Sequence, residues 1–379
     1  MRNIMRLGDV ASYINGFPFK PSDWSDMGVP IIRIQDLTGN GYQMNRFDGK
    51  YDAKYEVRAG DVLISWSASL GVYVWKLETA VLNQHIFKVR FDKVDVDKDF
   101  FVYQVECLLK KAARQAHGAT MRHLTKPVFD GLPFYLPPKE EQKRIAVQLN
   151  VITRLISIRQ RQAEKLDELV KARFVEIFGD PVRNTKFFPQ HELKEYIQFL
   201  TSGSRGWAKF FSDDGELFIT IKNVKNGHIN LSDVQHVMPP DNAEAKRTKV
   251  QAGDLLISIT ADLGRTGVVS DNLAQRGAYI NQHLTCIRLK KDEVLPQYVS
   301  AFLESAAGKR QFSAKNQSAV KAGLNFEAIK SLRLFMPPLE LQREYIAFVN
   351  EVDREKDRIQ RSAALLETLK RSLMQQYFG

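Results

Sequence analysis

The chain has 379 residues, a formal net charge of +11, 44% hydrophobic residues and 26% charged residues. This composition is ordinary for a globular protein, and no apolar run approaches the roughly 18 to 20 residues that a membrane span requires. Cys107 and Cys286 lack partners at the spacing of metal or redox motifs, so we expect buried, reduced thiols and a cytoplasmic protein. The basic charge is compatible with a nucleic-acid partner but does not by itself require one.

The first segment, residues 1–136, is predicted to be a mixed α/β domain. Apolar runs predict strands at 30–34, 62–66 and 85–91, and a helix is predicted at 99–116. Polar, basic and aromatic side chains cluster where the connecting loops are expected. The candidate contact residues in these loops are Arg33, Gln35, Asn40, Gln43, Arg46, Ser67, Thr120, Arg122, His123 and Lys126.

A long helix is predicted in the next segment, residues 137–180. Apolar or long side chains recur there in alternating steps of four and three, which is the heptad pattern of a coiled coil. Pro138 suits the first helical position, and Gly179 followed by Pro181 is a helix stop. About 40 residues at about 1.5 Å each give a helix roughly 60 Å long, which is too long to be buried inside one domain.

A second mixed segment, residues 186–336, follows this helix. Its predicted strands lie at 217–221, 255–259 and 283–289, and a helix is predicted at 296–313. Polar and basic residues again cluster in the expected loops. The candidate contact residues here are Arg205, Lys209, Lys222, Asn223, Lys225, Thr260, Arg265, Lys315, Gln317 and Lys321.

The last segment, residues 337–379, repeats the heptad pattern of the first helix in the same register, 200 residues later. Arg159 corresponds to Ile359 in this alignment and Lys356 to Ile156, so different polar interruptions favour pairing of the two unlike helices. An antiparallel pair is favoured, because a parallel pair needs the intervening segment to run the length of the helices. The predicted pairing residues are Leu149, Ile152, Ile156, Leu166, Val170, Val349, Val352, Ile359, Leu366 and Leu373.

The whole chain is a tandem duplication. Three sequence motifs occur in the same order in both halves, namely Leu136–Gln142 with Met336–Gln342, Ala59–Ser65 with Ala252–Ser258, and Asn83–His85 with Asn281–His283. The predicted fold class is therefore α+β, with two pseudo-symmetric mixed α/β domains joined by two long antiparallel coiled-coil helices.

No catalytic or metal-binding signature is found in the sequence. There is no phosphate-binding loop, dinucleotide-binding glycine motif, H-E-x-x-H or C-x-x-C. Asp61 and Asp254 follow glycine before a strand, which is typical of a turn cap. The repeated Asn-Gln-His could read adenine bases, but satisfying backbone groups of the domain core is the favoured interpretation.

With its two G-D-[VL]-L-I-S strands, two N-Q-H strands and two P-P-x-E-x-Q helices ending at Phe-Gly, the chain resembles the specificity subunit of type I restriction-modification systems. The resemblance covers nearly the whole length. It implies a non-catalytic reader of double-stranded DNA in which each domain reads one half of an interrupted, asymmetric site. The paired helices would then set the length of the unread spacer.

The resemblance also implies partners and cofactors. Two modification subunits would carry S-adenosylmethionine, and restriction subunits would use ATP and Mg²⁺ for translocation, while this chain binds no cofactor. The loop candidates above would then be DNA contacts. The alternative from another class is a helical scaffold with two protein-binding modules that does not bind DNA, and an enzyme with an unrecognised site comes third.

Overall fold

The computed structural model of the chain describes residues 3–41, 43–115, 124–316 and 323–379. The chain divides into two compact units, which we call unit 1 (Met1–Arg161 with Gln360–Gly379) and unit 2 (Gln162–Ile359). Within the described ranges, every helix is too short or too polar to cross a lipid bilayer.

The described part of unit 1 contains two four-stranded sheets and one two-stranded ribbon. The first sheet is antiparallel, with the strand order Ser12–Asn15, Ile86–Arg90, Val62–Ser65 and Gly71–Val74. The second sheet is mixed, with the order Arg46–Phe47, Val29–Ile32, Ala80–Leu82 and Glu56–Val57. The ribbon pairs Ile4–Arg6 with Pro133–Tyr135.

Most helices of unit 1 pack on a large aromatic core. These are Leu7–Val10, Lys98–Gln115 and Lys126–Asp130, whereas Ile34–Leu37 packs on a second apolar cluster, and 3₁₀ turns lie at Pro21–Asp23 and Ala53–Tyr55. Phe100, Phe129 and Phe134 are fully buried in this core, and Phe378 from the end of the chain joins them. The unit is thus assembled from two stretches of sequence that are far apart.

Unit 2 repeats this plan in the residues that the structure describes. Its antiparallel sheet has the order Ile197–Ser202, Leu284–Leu289, Leu255–Ser258 and Thr266–Val268. Its mixed sheet has the order Phe211–Ser212, Gln235–Val237, Glu216–Ile219 and Ala278–Ile280. A hairpin joins Val224–Lys225 to His228–Ile229, and a ribbon joins Gln190–Glu192 to Arg333–Phe335.

Three of the short helices of unit 2 begin at a side-chain cap. The short helices are Ala243–Thr248, Asp271–Arg276, Pro296–Glu304, Ala306–Lys315 and Phe326–Lys330, with 3₁₀ turns at Leu193–Tyr196, Trp207–Phe210 and Ile221–Asn223. The side chains of Asn242, Ser270 and Asn325 each accept a backbone N–H of the first turn, which satisfies donors that a helix start leaves open.

The structure confirms the predicted strands and corrects their ends by one or two residues. The predicted strand at 30–34 is found at Val29–Ile32, because Arg33 leads into a short helix. The single helix predicted at 296–313 is wrong: the chain leaves helical geometry at Ser305, whose hydroxyl donates to the Phe302 carbonyl and ends the first of two helices. Both cysteines are free, with Cys286 buried and Cys107 half-buried.

The two predicted long helices are confirmed at Lys139–Phe178 and Leu339–Phe378. All the predicted pairing residues lie on the buried or half-buried face of these helices. In unit 2, Arg173 pairs with Glu344 at 2.6 Å and Asp167 pairs with Lys356, so partner numbers fall as residue numbers rise. In unit 1, Leu149 and Leu373 pack in one cluster. The helices are therefore antiparallel, as predicted.

The glutamine of each P-P-x-E-x-Q motif is buried and makes hydrogen bonds to two separate backbone segments. The Gln142 amide donates to the Pro137 carbonyl and accepts from the Asp97 N–H, both at 2.8 Å. Gln342 does the same in unit 2, with the Pro337 carbonyl at 2.8 Å and the Leu295 N–H at 2.9 Å. Each amide thus joins the start of a long helix to the start of a shorter helix of its own unit.

Replacing Gln142 with leucine is expected to lower the free energy of unfolding of unit 1 by about 2–4 kcal/mol. The Asp97 N–H and the Pro137 carbonyl would lose their partner, and an unsatisfied buried polar group costs about 1–3 kcal/mol. Urea denaturation followed by tryptophan fluorescence measures the change. The control is Gln160→Leu, an exposed glutamine on the same helix. Equal stability of the two variants would show that the Gln142 hydrogen bonds do not contribute to the free energy of unfolding.

Candidate nucleic-acid interface

In both units, two parallel strands of the mixed sheet end at the same edge. In unit 1, Ile32 lies opposite Leu82, so Arg33 and Asn83 leave the sheet side by side. In unit 2, Ile219 lies opposite Ile280, so Thr220 and Asn281 do the same. The loop that begins at Arg33 or Thr220 and the Asn-Gln-His turn therefore start from one edge in each unit.

The Asn-Gln-His turns are built from hydrogen bonds to the backbone. The Asn83 side chain accepts the Gln84 N–H at 2.8 Å, and the Asn281 side chain accepts the His283 N–H at 3.1 Å. Gly16 packs so closely that an added Cβ would lie 2.1 Å from the Asn83 carbonyl oxygen. The favoured structural interpretation of the motif agrees with this geometry.

Two further loops, which contain Trp66 and Leu124 in unit 1 and Ile259 and Leu324 in unit 2, are attached to the same turn. In unit 1, the Trp66 N–H donates to the His85 carbonyl at 3.3 Å, and the Leu124 N–H donates to the Trp66 carbonyl at 3.1 Å. In unit 2, the Ile259 N–H donates to the His283 carbonyl at 3.0 Å, and the Leu324 N–H donates to the Ile259 carbonyl at 2.9 Å. We call the surface where they converge the loop edge: residues 33–36, 66–69, 83–85 and 124–126 in unit 1, and 220–228, 259–265, 281–283 and 323–325 in unit 2.

A tight turn holds the loop after the G-D-[VL]-L-I-S strand in both units. Ala68 has a φ of 57° and Ala261 a φ of 55°, in the left-handed region that non-glycine residues seldom adopt. The hydroxyls of Ser65 and Ser258 donate to the carbonyls of Ser69 and Asp262 and hold these turns in place. The serine at the end of the motif thus stabilises the conformation of the following loop.

The aspartate of the same motif is a turn cap, as predicted. Asp61 accepts the Arg58 N–H at 2.9 Å and pairs with Lys88. Asp254 accepts the Gln251 N–H at 2.8 Å and two guanidinium hydrogen bonds from Arg288. Burial, and then the nearby Asp254 carboxylate, raises the pKa of the Cys286 thiol well above its usual value, so this thiol stays protonated and unreactive.

The unit 1 candidates differ in what their side chains contact. The Arg33 guanidinium donates to Gln35 at 2.8 Å and lies 5.2 Å from the centre of the Trp24 ring. Arg46 is held by Glu78 at 3.0 Å and by the Gly28 carbonyl.

The remaining described candidates of unit 1 divide into exposed and engaged side chains. Asn40 and Gln43 are exposed, whereas Ser67 is buried. Lys126 pairs with Asp130 at 2.9 Å and lies over the Phe87 ring. Thr120, Arg122 and His123 lie outside the described residues.

Several unit 2 candidates are exposed and basic. The exposed ones are Arg205, Lys209, Lys222 and Lys225. Thr260 is hydrogen-bonded to His283 Nδ1 at 2.7 Å, Arg265 pairs with Asp262, and Lys315 donates to the Ser331 hydroxyl at 2.7 Å. Gln317 and Lys321 lie outside the described residues.

Asn223 has a structural role that the sequence reasoning missed. Its side chain accepts the Thr220 N–H at 2.9 Å and donates to the Asn230 carbonyl at 3.0 Å. Asp36 accepts the Arg33 N–H at 2.9 Å at the corresponding place in unit 1. Burial raises the pKa of the Asp36 carboxyl above its usual range, and the Arg33 N–H and charge oppose this shift.

Two further residues of the loop surfaces were not singled out from the sequence. Arg247 fixes the loop of Ser202 and Ser204 by donating to the Ser202 carbonyl at 2.9 Å and the Ser204 hydroxyl at 3.2 Å. Trp24 is 45% exposed beside Arg33. An isolated arginine in a helix and a tryptophan between turns carry no sequence signal for such positions. In the described parts of the chain, no three His, Cys, Asp or Glu side chains form a metal site.

Each unit therefore presents a polar loop edge on a repeated scaffold, which defines a tandem-repeat binding protein. The family described as a type I restriction modification DNA specificity domain matches residues 3–168 and 193–370, and the chain belongs to this family. Specificity subunits of this family are non-catalytic.

Two curated relatives span most of the chain. The EcoBI specificity subunit of Escherichia coli is 22% identical over 386 residues, covering 94% of this chain and 80% of that protein. The MjaVIII specificity subunit of Methanocaldococcus jannaschii is 21% identical, covering 95% and 89%. Both are named type I restriction enzyme subunits, in agreement with the family match.

Two solved structures share the fold. The S subunit of a type I restriction-modification system from M. genitalium has a TM-score of 0.57 and 14% identity, covering 100% of this chain and 96% of that one. A chain from a structure of type I R-M complex assembly has a TM-score of 0.59 and 15% identity, covering 99% and 97%.

Replacing Asn223 with alanine is expected to destabilise unit 2 by about 2–4 kcal/mol, because the Thr220 N–H and the Asn230 carbonyl lose their partner. Asn223→Asp keeps the acceptor that Asp36 supplies in unit 1 and should lose less. Urea denaturation followed by tryptophan fluorescence measures both changes, since Trp207 is buried in unit 2 and reports its unfolding. The control is the exposed neighbour, Lys222→Ala. Greater loss for the aspartate variant than for the alanine variant would contradict the capping role.

Proposed function

We propose that this chain is the DNA-reading subunit of a cytoplasmic type I restriction-modification complex. Each loop edge reads one half of an interrupted, asymmetric site in double-stranded DNA. The observation that carries the proposal is a common loop scaffold with different side chains, since Arg33 corresponds to Thr220 and the exposed Ser69 to the exposed Asp262. Base edges are distinguished by the donors and acceptors that loops present, so different side chains select different half-sites.

The candidate contacts divide into two roles. Exposed lysines and arginines contact phosphates and position the protein, while polar side chains of the loop edges contact bases. The domains that carry these loops are residues 1–136 and 186–336. Buried polar residues such as Asn223 and Ser67 lie beneath the loop surface and stabilise the loops.

The long helices act as a ruler. Each runs for 40 residues without interruption, and a buried glutamine fixes its start to its own unit. Their length sets the number of unread base pairs between the half-sites. They also dock two modification subunits, which carry S-adenosylmethionine and the methylation chemistry, and restriction subunits that use ATP and Mg²⁺ join this complex.

The first experiment is methylation mapping. DNA from cells that express this chain with its neighbouring modification subunit is sequenced by a single-molecule method that detects methylated bases. We expect an interrupted asymmetric motif that disappears when this chain is deleted. Methylation that is unchanged on deletion, with both proteins expressed and assembled, would favour a scaffold that does not read DNA.

Removing two exposed lysines of unit 2, Lys222→Ala with Lys225→Ala, tests the phosphate contacts. Each lost contact should reduce the slope of log binding constant against log salt concentration by about one, equally for specific and unrelated duplexes. Fluorescence anisotropy of the assembled complex measures the slope. The control is Lys246→Ala, which pairs with Asp241 at 3.0 Å. If the double variant has the same slope as the control, Lys222 and Lys225 do not contact phosphates.

Duplicating residues 155–161 and 355–361 tests the ruler. One added heptad preserves the register of the residues that pair the two helices. It lengthens each helix by about 10 Å, which corresponds to about three base pairs. We expect methylation to move to the same half-sites with a longer spacer, measured on a series of spacer lengths. Adding four residues instead shifts the pairing residues out of the heptad register and should abolish assembly. An unchanged spacer in an assembled heptad variant would contradict the ruler.

A further inference from the structure

Unit 2 carries a hairpin that the described part of unit 1 lacks. Val224–Lys225 pairs with His228–Ile229. Asn226 and Gly227 form the turn between them, with φ values of 52° and 81°, in the left-handed region that the common two-residue hairpin turn requires. The described residues of unit 1 form no two-stranded hairpin after the helix Ile34–Leu37. Among the described residues, the hairpin is therefore specific to the second copy.

The tip of the hairpin is bound to the protein. The Gly227 N–H donates to the Thr266 carbonyl, and the Val268 N–H donates to the Gly227 carbonyl, both at 3.0 Å. These bonds join the tip to the edge strand of the antiparallel sheet. Gly267 permits this close approach, because an added Cβ there would lie 2.9 Å from the His228 carbonyl oxygen. The faces of the two strands, and not the tip, are therefore what the hairpin can present to a ligand.

Glu304, the last residue of the helix Pro296–Glu304, holds both the tip and this edge strand. Its Oε1 atom accepts the Asn226 N–H at 3.1 Å and the Thr266 N–H at 2.8 Å. The hydroxyl of the fully buried Thr266 lies 2.7 Å from the Ser300 hydroxyl of the same helix. One carboxylate oxygen therefore connects the hairpin turn, the edge of the sheet and a core helix.

The first copy has apolar packing in place of this network. The positions of the two hydroxyls are taken by Val72 and Val102, which pack against the aromatic core of unit 1. The glutamate at the position of Glu304 is Glu106, which pairs with Lys110 on its own helix. A unit therefore folds without the buried hydroxyls and without a glutamate bound to a hairpin, and the network of unit 2 serves the hairpin.

A second contact joins the hairpin to the long helix of unit 2. His228 Nε2 lies 3.6 Å from the carboxylate of Asp353, which belongs to the helix Leu339–Phe378. The corresponding residue of the first long helix is Thr153, whose hydroxyl lies 3.1 Å from that of Tyr103. This contact is thus also specific to the second copy, and two separate elements of unit 2 fix the orientation of the hairpin.

The outward face of the hairpin is basic. Val224 is buried and Ile229 is half-buried against the core, so the neighbouring pair of Lys225 and His228 faces outward. Lys225 is exposed, and so is Lys222 three residues earlier. A two-stranded ribbon is narrow enough for the major groove of duplex DNA, and lysines supply charge for the phosphates.

We infer that Glu304 is a positioning residue for DNA recognition by unit 2, and that it holds the hairpin so that its basic face meets the half-site in one orientation. The inference rests on the proposed function, since it takes DNA to be the ligand of the loop edge. It goes further in naming the element that contacts the half-site and the carboxylate that orients it. Base contacts require a fixed geometry, so releasing the hairpin lowers discrimination at one half-site and leaves the other unchanged.

The test removes the Glu304 contacts and measures the sequence preference of the complex assembled with the modification subunit. The probes are duplexes that carry the motif found by methylation mapping, with one base pair changed at a time. The preference is the ratio of the methylation rates for the motif and for each changed duplex. Glu304→Ala should lower this ratio by about tenfold at one half-site only, the loss expected for one base contact. Glu304→Gln keeps the accepting oxygen and should keep the wild-type ratio.

Two further variants and a second measurement separate positioning from folding. Glu106→Ala removes the matching glutamate of unit 1 and should leave both half-sites unchanged. Asp353→Thr introduces the residue of the first copy and should give a smaller loss than Glu304→Ala at the same half-site. Hydrogen exchange of the full chain locates the change. In Glu304→Ala the amides of residues 226–228 should exchange faster, while the strand Leu284–Leu289 keeps its protection.

The outcomes distinguish this inference from the proposed function. Wild-type preference in Glu304→Ala would overturn the positioning role and leave the proposed function standing. Loss of preference at both half-sites, or faster exchange throughout unit 2, would show a role in folding alone and also overturn it. Equal losses for the alanine and glutamine variants would overturn the role of the accepting oxygen. A wild-type complex that methylates no motif would instead overturn the proposed function.

Discussion

Each unit depends on a phenylalanine from the end of a long helix to close its core. Phe378 lies 5.5 Å from Phe100 in unit 1, and Phe178 lies 4.8 Å from Tyr298 in unit 2, measured between ring centres. The start of the other long helix is fixed in the same unit by the buried amide of Gln142 or Gln342. Both the glutamine and the phenylalanine recur at an interval of 200 residues, because both ends of each helix are anchored in a core.

The repeat separates what supports the loops from what the loops present. Asp61 and Asp254 cap the same turn, Ser65 and Ser258 hold the same left-handed residue, and the Asn-Gln-His turns close on backbone groups. These positions are identical in both units because the backbone geometry requires their hydrogen bonds. The side chains beyond them differ, and a difference there changes what is recognised without disturbing the fold.

Individual site residues were harder to predict than the loops that carry them. The sequence placed Asn223 and Lys222 in the same candidate cluster, yet Asn223 is buried and caps a turn while Lys222 is exposed. Ser67 was a contact candidate and is buried. A polar residue in a loop has the same appearance in sequence whether its hydrogen bonds are made to the protein or left for a partner. Only the position of neighbouring backbone groups separates the two.

The sequence by itself determined the duplication, the family and both long helices, because heptad periodicity and a constant interval are local and repetitive signals. It also located six of the strands to within a residue or two. Only the tertiary structure decided that Phe378 completes unit 1 and that three loops meet at one edge of the mixed sheet. These features arise from contacts between residues far apart in the chain, and the pairing of distant segments leaves no periodic trace in either segment.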